Sequence, residues 1–444
     1  MEKSKILANV SSMTAEHLLE EIKQGNVTFG EIDNTGDLSP AKRKKIKDLE
    51  AETEKKDDEA WERARYGNEM MLSDYITRFP NGKHVEEAKE KIKYLEQARK
   101  AAQAERQKVI DKISNNPNSY FPDEITEFLQ NGTLSESDLE GCGIPSDIIE
   151  ALDDIKKHQP KLDLGDRPDS IPDGYTEVYF WGIPGSGKTC ALAAILSKAE
   201  KLGYLSIAIG PGYDYMTQLK NIFVDKNALL PPPSPVDTTQ YLPFTLKKEN
   251  EKNYRSISLI ELSGEVFQCF YCKNARKPMP SKDHEDTFNS LLDFLNSDNR
   301  KIHFFFIDYG NKNKKDPDGY TQSDYLSAAS TFFRQHQIFK KNTDAIYVVL
   351  TKSDLMPCPE KDRVIKAKEY LSNDNFNAFI NALKDSCKKH SINAGRLTVE
   401  PFSLGKVYFQ QICDFDGTTA ENIINILLDR VPTSKNSILD FFNR

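Results

Sequence analysis

The feature that most constrains this chain is an eight-residue stretch near its middle, GIPGSGKT at 182–189. An apolar run, VYFW at 178–181, precedes it, and an alanine- and leucine-rich segment at 191–196 follows, which predicts a strand, a glycine-rich turn and a helix. In such a turn backbone N–H groups surround a phosphate, the helix N-terminus adds positive potential, and the lysine and threonine reach phosphate oxygens and Mg²⁺. The pattern therefore predicts a nucleoside triphosphate site. Its predicted residues are Gly182, Pro184, Gly185, Ser186, Gly187, Lys188, Thr189 and Cys190.

Composition indicates a globular chain of more than one domain. The chain has 444 residues, of which 38% are hydrophobic and 29% charged, and its net charge is −8. At about 150 residues per domain, more than one is expected, and the negative charge offers no field that attracts nucleic acid or anionic lipid. No apolar run approaches ~20 residues, and residues 1–13 contain no signal-peptide core. Because the seven cysteines are scattered as well, we expect a cytoplasmic protein that binds no nucleic acid and has no membrane span.

The chain divides into a helical first half and an alternating second half. The first half is highly charged and helical in pattern, whereas strand-like and helix-like segments alternate in the second, as in α/β domains. Prolines, glycines and aspartates between the halves are typical of a linker. The predicted parts are a small helical unit at 1–52, a helical hairpin and charged helix at 53–115, a second small unit at 116–158, the linker at 159–174 and the α/β domain at 175–444.

The two small helical units repeat one pattern at an offset of 107 residues. Apolar positions, glycines and capping residues fall in register, and each capping residue is followed three positions later by an acid, as in a capping box. The aligned pairs are Gly25 with Gly132, Thr28 with Ser135, and Gly36 with Gly143. A duplicated unit of two or three short helices is the interpretation.

Between the copies, Trp61, Ala64 and Tyr75 precede a Pro80-Asn81-Gly82 turn with a spacing that resembles one unit of tetratricopeptide-like repeats. A single unit of that kind cannot bury its faces alone. We expect the next helix, from Glu86 to about Ile113, to pack against it or to continue as a charged rod; a simple helical spacer is the alternative. No residue here suggests catalysis, and we predict that the helical region binds a protein partner.

Four further segments follow the phosphate loop, each an apolar strand pattern that ends in polar or small residues. They are IELSGE at 260–265, HFFFID at 303–308, VVLTKSD at 348–354 and VEPFSLG at 399–405. In this order the segments resemble the P-loop GTPases of the translation-factor-related class, which includes the small GTPases, over residues 177–431. The resemblance implies a doubly wound α/β fold with a mostly parallel sheet. It also implies GTP or GDP as ligand, Mg²⁺ as cofactor and GTP hydrolysis.

The most specific element of the resemblance is Thr351-Lys352-Ser353-Asp354, which selects the base. An aspartate offers two acceptors to the N1–H and N2 donors of guanine, and adenine has no such pair of donors. The lysine stem packs along the base, and its ammonium can bond back to the phosphate loop. Ser403 and Leu404 match the final loop of the family, whose backbone contacts the guanine O6. Guanine is therefore predicted over adenine.

The segment after the second strand departs from the family. Gly264 matches the glycine whose N–H contacts the γ-phosphate, but Glu261 stands where the family has an aspartate that holds Mg²⁺ through water. Glu265 stands where small GTPases have a water-orienting glutamine. We predict Glu261 as a metal-site residue and Glu265, with Lys188, as a catalytic residue, and we expect slow hydrolysis because a glutamate adds negative charge beside an anionic transition state. The alternative makes Glu265 only the first acidic residue of the next helix.

Two other positions complete the predicted site. Pro184 replaces a glycine of small GTPases and supplies no N–H, which alters access for an incoming arginine. The Mg²⁺-contacting threonine of the first switch is expected in the long interval before Glu261, where Thr238 and Thr239 are the candidates; Thr239 is the preferred one.

Alternatives from other classes remain open. In an ATPase of the AAA or signalling class, Asp308 after its apolar run is the Mg²⁺-binding acid. In a nucleotide-binding scaffold, the two glutamates at 261 and 265 prevent hydrolysis. The organisation, with small helical adaptor domains ahead of a nucleotide domain, also resembles GTPases of bacterial conflict or signalling systems.

Overall fold

The computed structural model describes residues 2–155, 171–224, 227–231, 239–311, 314–316 and 319–434. Most of the predicted linker, and Thr238, lie outside these residues. The chain forms two compact units, 1–109 and 110–444. The first unit is all helical in its described part, and no helix among the described residues is long and apolar enough to cross a membrane.

The first unit begins with helices that enclose a small core. They are α1 (Lys3–Ala8), α2 (Ala15–Lys23), α3 (Phe29–Asp33), α4 (Pro40–Ala64), α5 (Glu69–Arg78) and α6 (Val85–Asn115), which continues into the second unit. Leu18, Ile32 and Ile46 are fully buried in the core of the first three helices and the start of α4. Helix α4 is continuous through residue 52, where the sequence pattern placed a boundary between parts.

The second half of the first unit is the hairpin around the Pro80-Asn81-Gly82 turn. The buried Asp57 accepts hydrogen bonds from the Tyr75 hydroxyl and from Lys83 N, the latter at 2.8 Å. Trp61 stacks on His84 at 5.1 Å between ring centroids. The side chains that suggested a repeat-like hairpin thus form its interface, and the buried carboxylate fixes the turn by accepting from its backbone.

The second unit opens with the other copy of the repeated pattern. Its helices are α7 (Pro122–Gln130), α8 (Glu136–Gly141) and α9 (Ser146–Ile155). In both copies a left-handed glycine ends one helix and a capping residue starts the next: Gly25 and Gly132 both have φ of 75°. The acid three residues after the cap accepts from the cap backbone N–H, Glu31 from Thr28 at 3.0 Å and Asp138 from Ser135 at 2.8 Å.

The rest of the second unit contains a seven-stranded, mostly parallel sheet with helices on both faces. The strands are β1 (Thr176–Trp181), β2 (Leu205–Ser206), β4 (Gln240–Leu246), β5 (Arg255–Glu261), β6 (Lys301–Asp308), β7 (Thr343–Thr351) and β8 (Thr398–Pro401). Their order in the sheet is β2-β4-β5-β1-β6-β7-β8. The strands from β5 to β8 in this order are parallel, whereas β4 is antiparallel to β5 and to β2. The α/β class and the mostly parallel sheet agree with the prediction from sequence.

Helices cover the sheet because its strands are apolar on both sides. On β1, Tyr179 and Trp181 face one core, and Val178 and Phe180 face the other. The helices that follow α9 are α10 (Lys188–Lys201), α11 (Tyr213–Lys220), α12 (Val266–Asn274), α13 (Lys282–Leu295), α14 (Gln322–His336), α15 (Arg363–Leu371), α16 (Asp374–His390) and α17 (Thr418–Arg430).

A second, three-stranded antiparallel sheet lies beside the large one in the same unit. Its strands, β3 (Asn227–Leu229), β9 (Gly405–Tyr408) and β10 (Ile412–Phe415), have the order β3-β10-β9. The sequence pattern did not predict this sheet, because its strands are only three or four residues long.

Candidate functional site

The predicted motifs meet at one edge of the large sheet. Strands β1, β5, β6, β7 and β8 are parallel, so their carboxyl ends lie together, and each is followed by one of the polar segments found in the sequence. Ligands of open α/β sheets bind in the crevice outside these strand ends.

The turn between β1 and α10 has the backbone that a phosphate loop needs. Gly185 and Gly187 have φ of 74° and 86°, a region that favours glycine. Gly187 is the residue before the first turn of α10, and a β-carbon there would contact the Thr351 side chain at 3.6 Å. The turn thus combines left-handed glycines with a helix N-terminus, an arrangement suited to an anion.

Lys188 is buried inside this turn. Its ammonium donates to the carbonyl of Gly182 at 2.6 Å and to that of Ile183 at 3.2 Å. Burial lowers the pKa of Lys188 to about 8, an effect that the nearby Glu261 carboxylate partly offsets. A lysine with a pKa this low gains from an anionic ligand, which restores the charged form.

For the nucleotide that the sequence predicts as ligand, this pKa predicts an affinity that falls as pH rises. Since its phosphates would pair with charged Lys188, and about a tenth of the side chain is protonated one pH unit above its pKa, we expect affinity to fall about 10-fold between pH 7 and pH 9. Binding above pH 8 should also take up a proton, measurable by calorimetry in buffers of different ionisation enthalpy. Lys188→Met should bind weakly at both pH values; an equal fall in that variant would assign the effect to another group.

Glu261, at the end of β5, forms the second part of the site. It is 3% exposed and accepts hydrogen bonds from the Thr189 hydroxyl and, at 2.9 Å, from the Tyr215 hydroxyl of α11. Burial raises the pKa of Glu261, while these hydrogen bonds and Lys188 oppose the rise. A buried carboxylate beside a threonine hydroxyl is an oxygen donor pair suited to a hard cation.

Thr239 lies at the same edge of the sheet as Glu261. It directly precedes β4, whose Gln240 is in register with Glu261 on β5. Thr239 is 4% exposed, and its hydroxyl has no hydrogen-bond partner among the described residues. Buried hydroxyls normally have a hydrogen-bond partner, so the Thr239 hydroxyl is compatible with a ligand contact at the edge of the sheet where Glu261 lies.

Gly264 lies directly against the phosphate loop. A β-carbon at Gly264 would overlap the backbone nitrogen of Pro184 and the carbonyl carbon of Ile183. Only glycine permits this approach. The two segments share the wall of a cavity of about 390 Å³, to which Lys314 and Lys315 also contribute.

The Glu265 side chain contacts His284 of α13, with 2.5 Å between Oε2 and Nε2. The Glu265 and His284 side chains are 21% and 12% exposed. The carboxylate that the sequence marked as a catalytic candidate is therefore engaged by a histidine from another helix.

The predicted base motif follows β7 and contacts the phosphate loop. The Thr351 hydroxyl donates to the carbonyl of Ser186 at 2.9 Å. The Ser403 hydroxyl donates to Asp354 Oδ1 at 2.8 Å, which brings the ends of β7 and β8 together. Leu404 follows Ser403, and its carbonyl accepts from Asp416 N at 2.7 Å. The predicted phosphate and base segments thus share one edge and contact each other.

Lys352 does not bond to the phosphate loop, contrary to the expectation from the resemblance. Its ammonium donates to Asp308 at 2.7 Å, because that fully buried carboxylate needs a counter-charge. Asp308 also accepts from Gly310 N at 2.8 Å and from the Asn311 amide. Both carboxylate oxygens of Asp308 are therefore engaged. The Thr189 hydroxyl is paired with Glu261 and not with Asp308.

Three partners in this region were missed by sequence reasoning. Tyr215 and His284 have no distinctive spacing from the motifs, and Asp308 was considered only as a metal ligand. Each meets its partner through the packing of separate elements. Among the described residues, no group of three or more His, Cys, Asp or Glu side chains could hold a metal ion by itself.

Comparison with known proteins adds little to this geometry. No family model matches the chain, and no curated protein matches it. Among solved structures, the chain is similar to a crystal structure described as nucleolar GTP-binding protein 1 from Plasmodium falciparum, at 13% identity, over 59% of this chain and 88% of that one, with a TM-score of 0.28. A TM-score this low supports no conclusion about fold or function.

Proposed function

We propose that this protein binds guanine nucleotides and hydrolyses GTP slowly. The observation that carries the proposal is the contact between the two predicted segments: Thr351 bonds the phosphate loop at Ser186, and three residues later Asp354 stands at the same strand edge. A ligand that fills both segments has a polyphosphate at one end and a base at the other.

Base choice rests on Asp354. Its carboxylate provides two acceptors for the paired donors of guanine, and one of its oxygens already accepts from Ser403. That bond orients the carboxylate and links it to the loop of Ser403 and Leu404, whose backbone is proposed to contact O6. A carboxylate held in this way discriminates strongly against a base without the matching donors.

The phosphate end rests on Lys188, Gly264 and the backbone of the loop. Lys188 would exchange its two carbonyl partners for phosphate oxygens, and the Gly264 N–H would contact the γ-phosphate. Thr189, Glu261 and Thr239 would hold Mg²⁺, partly through water. The ion would neutralise phosphate charge when bound, and its charge would also compensate the buried Glu261.

Hydrolysis requires a group that orients water. Glu265 is the candidate, and one oxygen of its carboxylate lies 2.5 Å from the His284 imidazole. One reason to expect slow turnover is the negative charge of Glu265 beside an anionic transition state. The other is this contact with His284, which competes with water for the carboxylate. It also favours a second candidate function, a nucleotide-binding scaffold that does not hydrolyse.

The ATPase alternative has less support. In an ATPase, Asp308 would be the Mg²⁺-binding acid and would need to face Thr189, the threonine of the phosphate loop. Its carboxylate instead accepts from Lys352, Gly310 and Asn311. Glu261 is the acid that contacts Thr189.

The helical region is proposed to couple nucleotide state to a protein partner. This part of the proposal rests on the sequence, since a repeated helical unit and a repeat-like hairpin are typical of interaction modules. The test uses the full chain as bait and compares the proteins that it captures with and without bound nucleotide. The proposal expects capture to depend on nucleotide.

The first test is calorimetric titration of the nucleotide-free full chain with GTP, GDP and ATP. We expect guanine nucleotides to bind about 100-fold more tightly than ATP, as for a site built to bond the base. Equal or ATP-favoured binding would contradict the proposed function.

The second test separates the switch from the scaffold by measuring phosphate release. Lys188→Ala should lower release on the order of 100-fold by removing a preorganised phosphate contact. Lys201→Ala, exposed on the same helix α10, is the matched control and should leave release unchanged. Release from wild type no faster than from Lys188→Ala would favour the scaffold.

A further inference from the structure

The proposed base loop is the beginning of a hairpin. Gly405 is both the residue after Leu404 and the first residue of β9. The Leu404 carbonyl accepts from Asp416 N at 2.7 Å and from Cys413 Sγ at 3.5 Å, so β10 and the residue after it hold the loop from the other side. The loop is therefore bonded directly to the β9–β10 hairpin.

The turn of this hairpin has an unfavourable backbone. Phe409 and Gln410 have φ of 51° and 62°, in the left-handed region that favours glycine. Phe409 is fully buried. A turn of this kind persists when its surroundings hold it in place.

Residues just ahead of α7, the first helix of the second small helical unit, hold the turn. The Asn118 side chain donates to the Val407 carbonyl at 3.0 Å and accepts from Gln410 N at 2.7 Å. The carbonyl of Pro117 accepts from Phe409 N at 3.1 Å. These three hydrogen bonds pair the Val407 carbonyl and the N–H groups of Phe409 and Gln410 with a segment about 290 residues earlier in the chain.

The same helical unit contacts the small sheet at a second place. Helix α9 packs against β3 and β10, and β3 pairs with β10 through Ile412 and Leu229. Strand β3 follows α11, the helix that carries Tyr215, the partner of Glu261. The helical unit therefore contacts the three-stranded sheet at two places, and strand β9 of this sheet begins directly after the proposed base loop.

We propose that the second small helical unit positions the base loop through Asn118, so that guanine selectivity depends on this unit. The inference rests on the proposed function and extends it to regulation of the same site. A four-residue strand spans about 13 Å, so a small tilt at the hairpin turn displaces Leu404 at the other end. By linkage, a partner that shifts the helical unit changes nucleotide affinity, and nucleotide changes affinity for the partner by the same factor.

The test compares Asn118→Ala with wild type in the full chain. We expect the ratio of GTP to ATP affinity to fall roughly 5-fold or more, mainly through faster dissociation of guanine nucleotide, because coupling energies of this kind reach that size. ATP affinity should stay unchanged, since ATP does not use the loop. Asn118→Asp keeps the acceptor for Gln410 N and should give an intermediate ratio.

Controls separate positioning from general destabilisation. Ile125→Val trims the buried core of the same helical unit without touching the three hydrogen bonds, and it should leave the GTP/ATP ratio unchanged. In wild type, GDP should slow hydrogen exchange at the amides of Phe409 and Gln410. This exchange measurement on wild type tests the inference even if Asn118→Ala fails to fold.

Each outcome has one meaning. Wild type without guanine preference overturns the proposed function and the inference with it. Wild type with guanine preference, together with an unchanged ratio in Asn118→Ala or with exchange at 409–410 that ignores GDP, overturns the inference alone.

Discussion

Replacing Asp354 with asparagine is expected to reverse the proposed preference for guanine. The substitution removes the acceptor for guanine N1–H and presents an amide donor that suits the 2-oxo group of xanthine. Losing hydrogen bonds to a charged acceptor costs about 1.5–3 kcal/mol each. We therefore expect the GTP affinity of the variant to fall on the order of 100-fold. Xanthosine triphosphate should bind to the variant better than to wild type. Both affinities can be measured by competition against a fluorescent guanine nucleotide.

The substitution is conservative for the fold, because the amide oxygen of the Asp354→Asn variant can still accept from the Ser403 hydroxyl that now bonds Asp354 at 2.8 Å. Asp362→Asn is the matched control, since this carboxylate lies close by in sequence but caps no backbone N–H. It should leave selectivity unchanged. An Asp354→Asn protein that retains wild-type preference for GTP over xanthosine triphosphate would remove Asp354 from the base site.

Replacing Glu177 with alanine is expected to cause the largest loss of stability. Glu177 and Lys301 lie at the other end of the large sheet from the site, 0% and 1% exposed, with 3.3 Å between carboxylate and ammonium. Removing one partner of a buried ion pair costs about 3–5 kcal/mol, because the other charge stays buried without compensation. The midpoint of urea unfolding for the α/β unit should fall accordingly.

The size of this effect should depend on pH. Burial lowers the pKa of Lys301, while Glu177 raises it, so without Glu177 the lysine loses its proton more easily. The unfolded chain then binds more protons than the folded one in the window below the ordinary lysine pKa, and stability rises with pH there. We therefore expect the deficit of Glu177→Ala to shrink as pH increases toward 10.

Two comparisons isolate the buried charge. Adding Lys301→Met to Glu177→Ala should restore part of the stability, because the stranded ammonium is removed. The exposed pair Lys366–Glu369 provides the surface control: Glu369→Gln should leave the midpoint unchanged. A loss in Glu177→Ala no larger than in this control would show that the buried pair contributes little.

Local sequence patterns were sufficient to predict several structural features. The phosphate loop, its left-handed glycines and the following helix are specified within about ten neighbouring residues, and the same holds for the caps at Thr28 and Ser135. The order of apolar strand patterns likewise predicted an α/β domain with the motifs at strand ends. These features depend on backbone preferences and short-range hydrogen bonds, which sequence spacing reports directly.

Partners supplied by distant segments could not be predicted in this way. Tyr215 meets Glu261 across 46 residues, and Lys352 meets Asp308 across 44. Glu265 is bound by His284, which follows an intervening helix. No periodicity relates these positions, because which side chains meet is decided by how helices pack on the two faces of the sheet.

By itself, then, the sequence determined which residues can cradle a phosphate and that they sit between a strand and a helix, since both follow from local conformation. Only the tertiary structure decided which carboxylate contacts Thr189 and which side chain contacts Glu265. It also decided that Asn118 bonds to a hairpin 292 residues later in the chain. Those outcomes are set by the packing that makes burial of apolar surface and pairing of buried polar groups simultaneously possible.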